Sequence, residues 1–111
     1  MKSMEDMIKA AQAAAETIGR QMNETQAKLD NLEVEGVSGG GLVRIRCSAK
    51  GRVIGVAIDD SLMQPSEKGI LEDLIAAAFH DARGKADEVA GREMANAQQG
   101  LGLPPGFKLP F

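Results

Sequence analysis

The side chains that could do chemistry are few. His80 is the only histidine and Cys47 the only cysteine, so a nucleophile–imidazole–acid arrangement would have to combine His80 with Cys47 or a serine. His80 sits between Phe79 and Asp81 in a helical pattern, the setting of a partly exposed helix residue, and no second imidazole exists to complete a histidine-based metal site. Cys47 falls mid-strand on the apolar side of an alternating run, where it acts as a small hydrophobe; alone it makes neither an internal disulfide nor a thiolate zinc site. The acid pairs Asp59-Asp60, Glu72-Asp73 and Asp87-Glu88 are sequence neighbours. Neighbours on a helix point about 100° apart, so the last two are solvated faces rather than converging carboxylates. The glycines of "SGGGLVRIR" precede a strand and lack the Gly-Lys-Ser/Thr of a phosphate loop, so they read as a hairpin turn. No catalytic residue, metal or cofactor is expected.

One electrostatic feature remains. Between Glu35 and Asp59 there is no acid, while Arg44, Arg46, Lys50 and Arg52 all lie there; a segment of +4 in a chain of net charge −3 leaves −7 for the rest. Arg44 and Arg46, two apart on a strand, project on one side roughly 7 Å from each other, a spacing comparable to successive phosphates on a nucleic-acid strand. The hairpin is therefore the first candidate for contact with a polyanion, the alternative being the solubilising outer face of a small sheet. A sequence pI near 5.1 excludes a simple polycation that coats nucleic acid, so any basic surface comes from local placement.

The elements that must position these cations are legible from periodicity. Met4, Ile8, Ala11, Ala15, Ile18, Met22, Thr25, Leu29 and Leu32 recur at alternating steps of four and three, which predicts a helix arm over 1–33, with Ser3 and Asp6 as a capping pair. Such a helix is about 45 Å long, more than a compact chain of this size wraps at a radius of gyration near 13 Å, so part of it should project or be covered by another chain. A β layer follows over 34–58: Val34 to Val37, then Leu42 to Ala49, then Arg52 to Ile58, separated by Ser38-Gly39-Gly40-Gly41 and Lys50-Gly51. Val43, Ile45 and Cys47 should face away from Arg44 and Arg46, with Ile54, Val56 and Ile58 sharing a face of the third strand. A connector over 59–66 leads to a second helix over 67–99, N-capped by Ser66. Its stripe of Ile70, Leu71, Leu74, Ile75, Ala78, Phe79, Ala82, Ala86 and Val89 can cover the sheet. Its later half looks too polar for core, and Gly84 and Gly91, each costing up to about 1 kcal/mol, argue against an unbroken rod.

The tail over 100–111 holds three of the four prolines and two of the three phenylalanines. Aromatics are only 3% of the chain against 43% hydrophobic residues, so the private core is thin and short of bulk. Phe107, Leu109 and Phe111 are expected to anchor the tail on uncovered apolar surface of the body. No run approaches the length of a membrane span and the first residues lack the pattern of a secretory signal, so a soluble, cytoplasmic protein is expected.

The order of a heptad helix, "LEVEGVSGGGLVRI", "VIGVAIDDSLM", "EKGILEDLIAAAFHDAR" and "GLGLPPGFKLPF" resembles the YbaB/EbfC family of bacterial nucleoid-associated proteins across nearly the whole chain. The resemblance implies an α+β fold: a long N-terminal helix, a three-stranded antiparallel sheet and a long second helix (α-β-β-β-α). It further implies an intimate homodimer that shares its β layer and projects its helices like the arms of tweezers. It implies a cytoplasmic protein of the nucleoid that binds double-stranded DNA and influences gene expression, with no enzyme activity and no cofactor, commonly encoded beside genes of recombination and the clamp loader. The family pattern carries no defined contact motif, so candidate DNA-binding residues follow from charge: Arg44, Arg46, Lys50 and Arg52 first, then Lys9, Arg20 and Lys28 on the first helix and Arg83, Lys85 and Arg92 on the second. The other reading is a non-enzymatic adaptor whose arms or tail dock on replication or recombination proteins.

Overall fold

The computed structural model describes residues 3–100. The expected anchoring of the tail by Phe107, Leu109 and Phe111 lies outside them. Helix α1 spans Met4–Asn31 and starts as its sequence dictates: the Ser3 hydroxyl accepts the Asp6 N–H at 3.1 Å, with Glu5 and Asp6 at the positive end of the helix dipole and Lys28 at the negative end. Leu32 leaves the helix in an extended conformation while its N–H still donates to the Lys28 carbonyl at 3.1 Å.

Three antiparallel strands follow, β1 (Glu33–Ser38), β2 (Val43–Ser48) and β3 (Val53–Ile58), in spatial order β1-β2-β3. Gly39, Gly40 and Gly41 all have positive φ (61°, 68° and 104°), which side chains rarely adopt, so the glycine triplet is what lets the chain reverse here. The turn sets Ser38 opposite Val43 and thereby Glu35 opposite Arg46. At the other end Gly51 (φ 91°) makes the turn, its N–H donating to the Ser48 carbonyl at 2.8 Å, while the buried Ser48 hydroxyl accepts the Arg52 N–H at 3.2 Å.

One strand reading needs correcting. Arg46 pairs with Gly55 but Cys47 with Val53, so Ile54 is the extra residue of a bulge. Val56 and Ile58 stand beside Ile45 and Val43 as expected, but the period breaks before Ile54 reaches their face.

Helix α2, Lys68–Gly100, is continuous through Gly84 and Gly91. Both glycines are exposed and an added Cβ would meet nothing within 4 Å, so they weaken the helix only through backbone entropy, which packing on either side outweighs. Ser66 does not cap α2. It lies inside a 3-10 turn, Pro65–Glu67, whose Glu67 N–H donates to the Gln64 carbonyl at 2.8 Å and which feeds directly into the helix. Ala78, Ala82 and Ala86 are all but fully buried against Val43, Ile45 and Cys47, with Leu62 closing one end of this core. The helix approaches β1 so closely that a Cβ on Gly36 would collide with the Ala78 carbonyl and the Ala82 amide. Gly36 and the alanine stripe are the small residues this approach requires.

The later half of α2 is not left free. It packs antiparallel on the C-terminal half of α1, where Met22 and Leu29 are buried, Lys28 Nζ meets Glu93 Oε2 at 2.8 Å, and Val89, Ala90, Met94 and Ala97 are half-buried. Ser3 to Glu16 of α1, by contrast, are exposed throughout, with Met4 at 78% and Ile8 at 53%. The chain accordingly measures 78 × 21 × 16 Å with a radius of gyration of 20.9 Å, far above the ~13 Å of a compact chain this long. The expected projection of the first helix is thus present in its first half.

Gly36→Ala should destabilise the fold by about 1–3 kcal/mol or more, because backbone rather than a movable side chain stands in the way. Gly84→Ala and Gly91→Ala should each stabilise it by up to about 1 kcal/mol. Denaturant unfolding of the three variants checks both signs.

Candidate nucleic-acid interface

The ten sequence-selected cations fall in three places. Arg44 and Arg46 project from the sheet face opposite α2. Lys50, Arg52 and Arg83 gather at the β2–β3 turn, where the Arg83 guanidinium lies over Gly51. Lys9, Arg20, Lys28, Lys85 and Arg92 are spread along the two helices.

On the sheet, the side-chain alternation holds: Val43, Ile45 and Cys47 are buried, while Arg44 and Arg46 are exposed. The acid-free run of sequence is not an acid-free surface, however. Strand β1 brings Glu33 and Glu35 onto the same face, so Arg44 Nη1 meets Glu35 Oε1 at 2.9 Å and Arg46 Nη1 meets Glu33 Oε2 at 3.6 Å. These carboxylates were overlooked in the sequence, although "EVE" at period two and a fixed turn length place them there. All four side chains are about half-exposed, so each pair adds at most about 1 kcal/mol to stability. Gly55 and Ala57, paired with Arg46 and Arg44 on β3, leave room for the guanidiniums; Arg46 Nη2 lies 2.9 Å from where a Gly55 Cβ would be. The result is a shallow depression of about 160 Å³ floored by small residues and rimmed by Glu35, Arg44 and Arg46.

The same mixing occurs elsewhere. Arg52 Nε reaches Asp30 Oδ1 at the end of α1 (3.3 Å), Arg83 Nε reaches Asp87 Oδ1 (3.3 Å), and Lys28 is held by Glu93. Among the described residues, Lys9, Arg20, Lys50 and Arg92 of the ten have no carboxylate within 4.0 Å, as has Lys68, which charge reasoning passed over. Lys9 and Arg20 are eleven residues apart, hence about 20° apart around α1 and about 16 Å apart along it. They form one row on the arm.

Lys85 has a different task. Its Nζ donates to the Glu35 carbonyl at 2.8 Å and pairs with Asp81 Oδ2 at 3.1 Å, and the same Asp81 oxygen accepts the Val37 N–H at 2.9 Å. The outward backbone groups of edge strand β1 are thereby capped by side chains of α2. The Val37 N–H first, and Lys85 next, hold the Asp81 carboxyl below the usual carboxylate range.

The residues with nucleophilic or basic chemistry are apart from these. His80 is exposed on α2. The Cys47 thiol is buried, donates to the Ala82 carbonyl at 3.8 Å, and is pushed up by burial, with Arg83 pulling weakly the other way; a thiol so placed is a poor nucleophile at neutral pH. The described residues contain no cluster of three or more His, Cys, Asp or Glu able to hold a metal. No helix among them is long and apolar enough to cross a membrane.

A helix, an antiparallel three-stranded sheet and a second helix that packs back on the first, with cations displayed on both helices and on the sheet, define a small α+β protein. Residues 1–101 match the YbaB/EbfC DNA-binding family, and the chain belongs to it. It is 50% identical over its full length to a "Nucleoid-associated protein" of Methylocella silvestris, covering all of that chain too. It is 49% identical over 106 residues to one of Rhodopseudomonas palustris, spanning 96% of this chain and 99% of the other. In fold it is similar to the crystal structure of the uncharacterized Helicobacter pylori protein HP0035, with a TM-score of 0.70 at 18% identity over 86% of this chain and 97% of that one.

Asp81→Ala should lower the melting temperature by uncapping β1. Because the folded-state pKa is depressed, the stabilisation is present above the unfolded value near 4 and is lost as pH falls through the folded one. The gap in melting temperature between parent and variant should therefore be constant at neutral pH and close in acid.

Proposed function

We propose that this protein is a nucleoid-associated DNA-binding protein of the cytoplasm, without enzyme activity, that contacts duplex DNA mainly through phosphate as a homodimer and influences nucleoid organisation and gene expression. Family membership over residues 1–101 carries the proposal, and the names of the full-length relatives support it. The unpaired cations favour phosphate contact: Lys9 lies on the projecting half of α1 and Arg20 in the same row just beyond it, Arg92 lies on α2 where it packs on the later half of α1, and Lys50 tips a turn. Long, mobile cationic side chains without planar partners suit backbone contact better than base readout.

The dimer is supported by what α2 leaves uncovered. It lies over β1 and β2, so Val56 remains 52% exposed on the face that buries Ile45 next door. Phe79, 45% exposed, flanks the buried stripe on the side of Arg83, toward β3. With β1 capped and β3 a free edge among the described residues, a second protomer gains most by seating on β3 and the adjacent flank of α2.

Duplex affinity should fall steeply with salt, and replacing Lys9, Arg20 and Arg92 with Ala should flatten the log K against log salt slope by up to about 0.9 per cation that contacts phosphate. A slope that does not change would take the arm out of the interface. Val56→Glu should drop the mass in solution from dimer to monomer; a variant that keeps the parent's mass moves the interface elsewhere.

The bare apolar seam of Met4, Met7 and Ile8 favours a second reading, a non-enzymatic adaptor for replication or recombination proteins. An electrophoretic shift at about 150 mM salt separates the two. Retardation of unrelated duplexes supports DNA binding; no shift, with a protein partner retained on the arm, supports the adaptor.

A further inference from the structure

The outer face of the sheet is built as a closed charge pattern. Glu33 and Glu35 on β1 alternate with Arg46 and Arg44 on β2, and Lys85, which reaches the Glu35 carbonyl, is paired with Asp81 rather than with either carboxylate side chain. The small floor of Gly55 and Ala57 leaves both guanidiniums accessible from solvent. Two arginines about 7 Å apart on an open face have the placement of a phosphate-binding pair, yet each already holds an anion.

We propose that Glu33 and Glu35 are affinity-setting residues: by occupying Arg46 and Arg44 they keep the sheet's outer face a latent phosphate site, and the protein binds DNA more weakly than its cations alone would allow. This rests on the reading that the protein binds duplex DNA, and it adds which residues limit that binding. The physical basis is an exchange. A phosphate arriving at Arg44 or Arg46 replaces a carboxylate, so little is gained in Coulomb energy. An arginine neutralised within the protein draws no counterion from the DNA in the first place, so it contributes little to the salt slope. The pairs are exposed and individually weak, so the face is latent rather than locked.

The test uses the full chain and a short duplex of mixed sequence. The variants are Glu33→Gln with Glu35→Gln, the same pair combined with Arg44→Ala and Arg46→Ala, and a charge-matched control, Glu72→Gln with Asp73→Asn, on the exposed side of α2. The Gln pair should bind more tightly than the parent, with a slope steeper by up to about 1.8 per protomer engaged. Its advantage should therefore shrink about 12-fold between about 50 and 200 mM salt. The gain should disappear when Arg44 and Arg46 are also replaced, and the control should leave the slope at the parent's value. A parent that binds DNA while the Gln pair and the control share one slope overturns the assignment and leaves the DNA-binding reading intact. A parent and a Gln pair that both fail to bind overturn the two together. Circular dichroism and solution mass confirm that the variants are folded in the parent's oligomeric state.

Discussion

The arrangement depends on how near one helix comes to one strand. Gly36 has no side chain, Ala78 and Ala82 have almost none, and the backbones of β1 and α2 meet with nothing between them. That approach lets Val37 and Glu35 pass their edge hydrogen bonds to Asp81 and Lys85, and Ser38 Oγ donate to the Leu74 carbonyl at 2.6 Å. Since α2 is spent on β1 and β2, it cannot also cover β3. Since it runs on past the sheet, its later half meets α1, which enters the fold beside the same strand. A bulkier residue at position 36 or 82 would lift the helix and undo all three consequences, which is why a core so poor in large side chains can still define a shape.

Charge in this chain is sorted by sequence and remixed by folding. The segment from Leu42 to Ile58 carries only cations, but antiparallel pairing with β1 returns Glu33 and Glu35 to Arg46 and Arg44, and the end of α1 returns Asp30 to Arg52. The cations left without a carboxylate among the described residues are scattered: Lys9 and Arg20 on α1, Lys50 at the β2–β3 turn, Lys68 at the start of α2 and Arg92 in its later half. The arm is itself mixed, Lys9 and Arg20 sharing residues 3–20 with Glu5, Asp6 and Glu16, while Arg44, Arg46, Lys50 and Arg52 outnumber Glu33 and Glu35 over 33–58, so attraction to a polyanion depends on local placement in both parts.

Much of this was legible in the sequence, and the exceptions share a cause. The heptad spacing of α1, the glycine turn, the alternation of Val43, Ile45 and Cys47 against Arg44 and Arg46, and the order of elements all follow from local periodicity, and the structure bears them out. The bulge at Ile54, the 3-10 entry to α2 in place of a Ser66 cap, the helix hairpin and the ion pairs of the outer face depend on partners distant in sequence. The later half of α2 looked too polar for core because a helix pair needs only a narrow stripe, here Val89, Ala90, Met94 and Ala97 against Met22 and Leu29, and polar residues fill the rest. The candidate interface was the least legible. Counting charges along a strand says nothing of what the next strand carries opposite it.

The two edges of the sheet are treated differently, and that difference bears on assembly. A free strand edge is a row of unsatisfied donors and acceptors, which proteins blunt when pairing would be harmful. Here β1 is blunted by a charged pair that hydrogen-bonds its backbone directly, while among the described residues β3 has neither a cap nor a covering helix and displays Val56 beside the buried Ile45. If both edges were open, successive protomers could pair edge to edge without limit, β1 of one on β3 of the next. With only β3 open among the described residues, the proposed dimer would pair symmetrically, one β3 against another, a contact that closes after two. On the proposed reading the Asp81–Lys85 pair acts at a distance from DNA: by removing one edge from play, it would turn an open-ended contact into one that closes as a dimer.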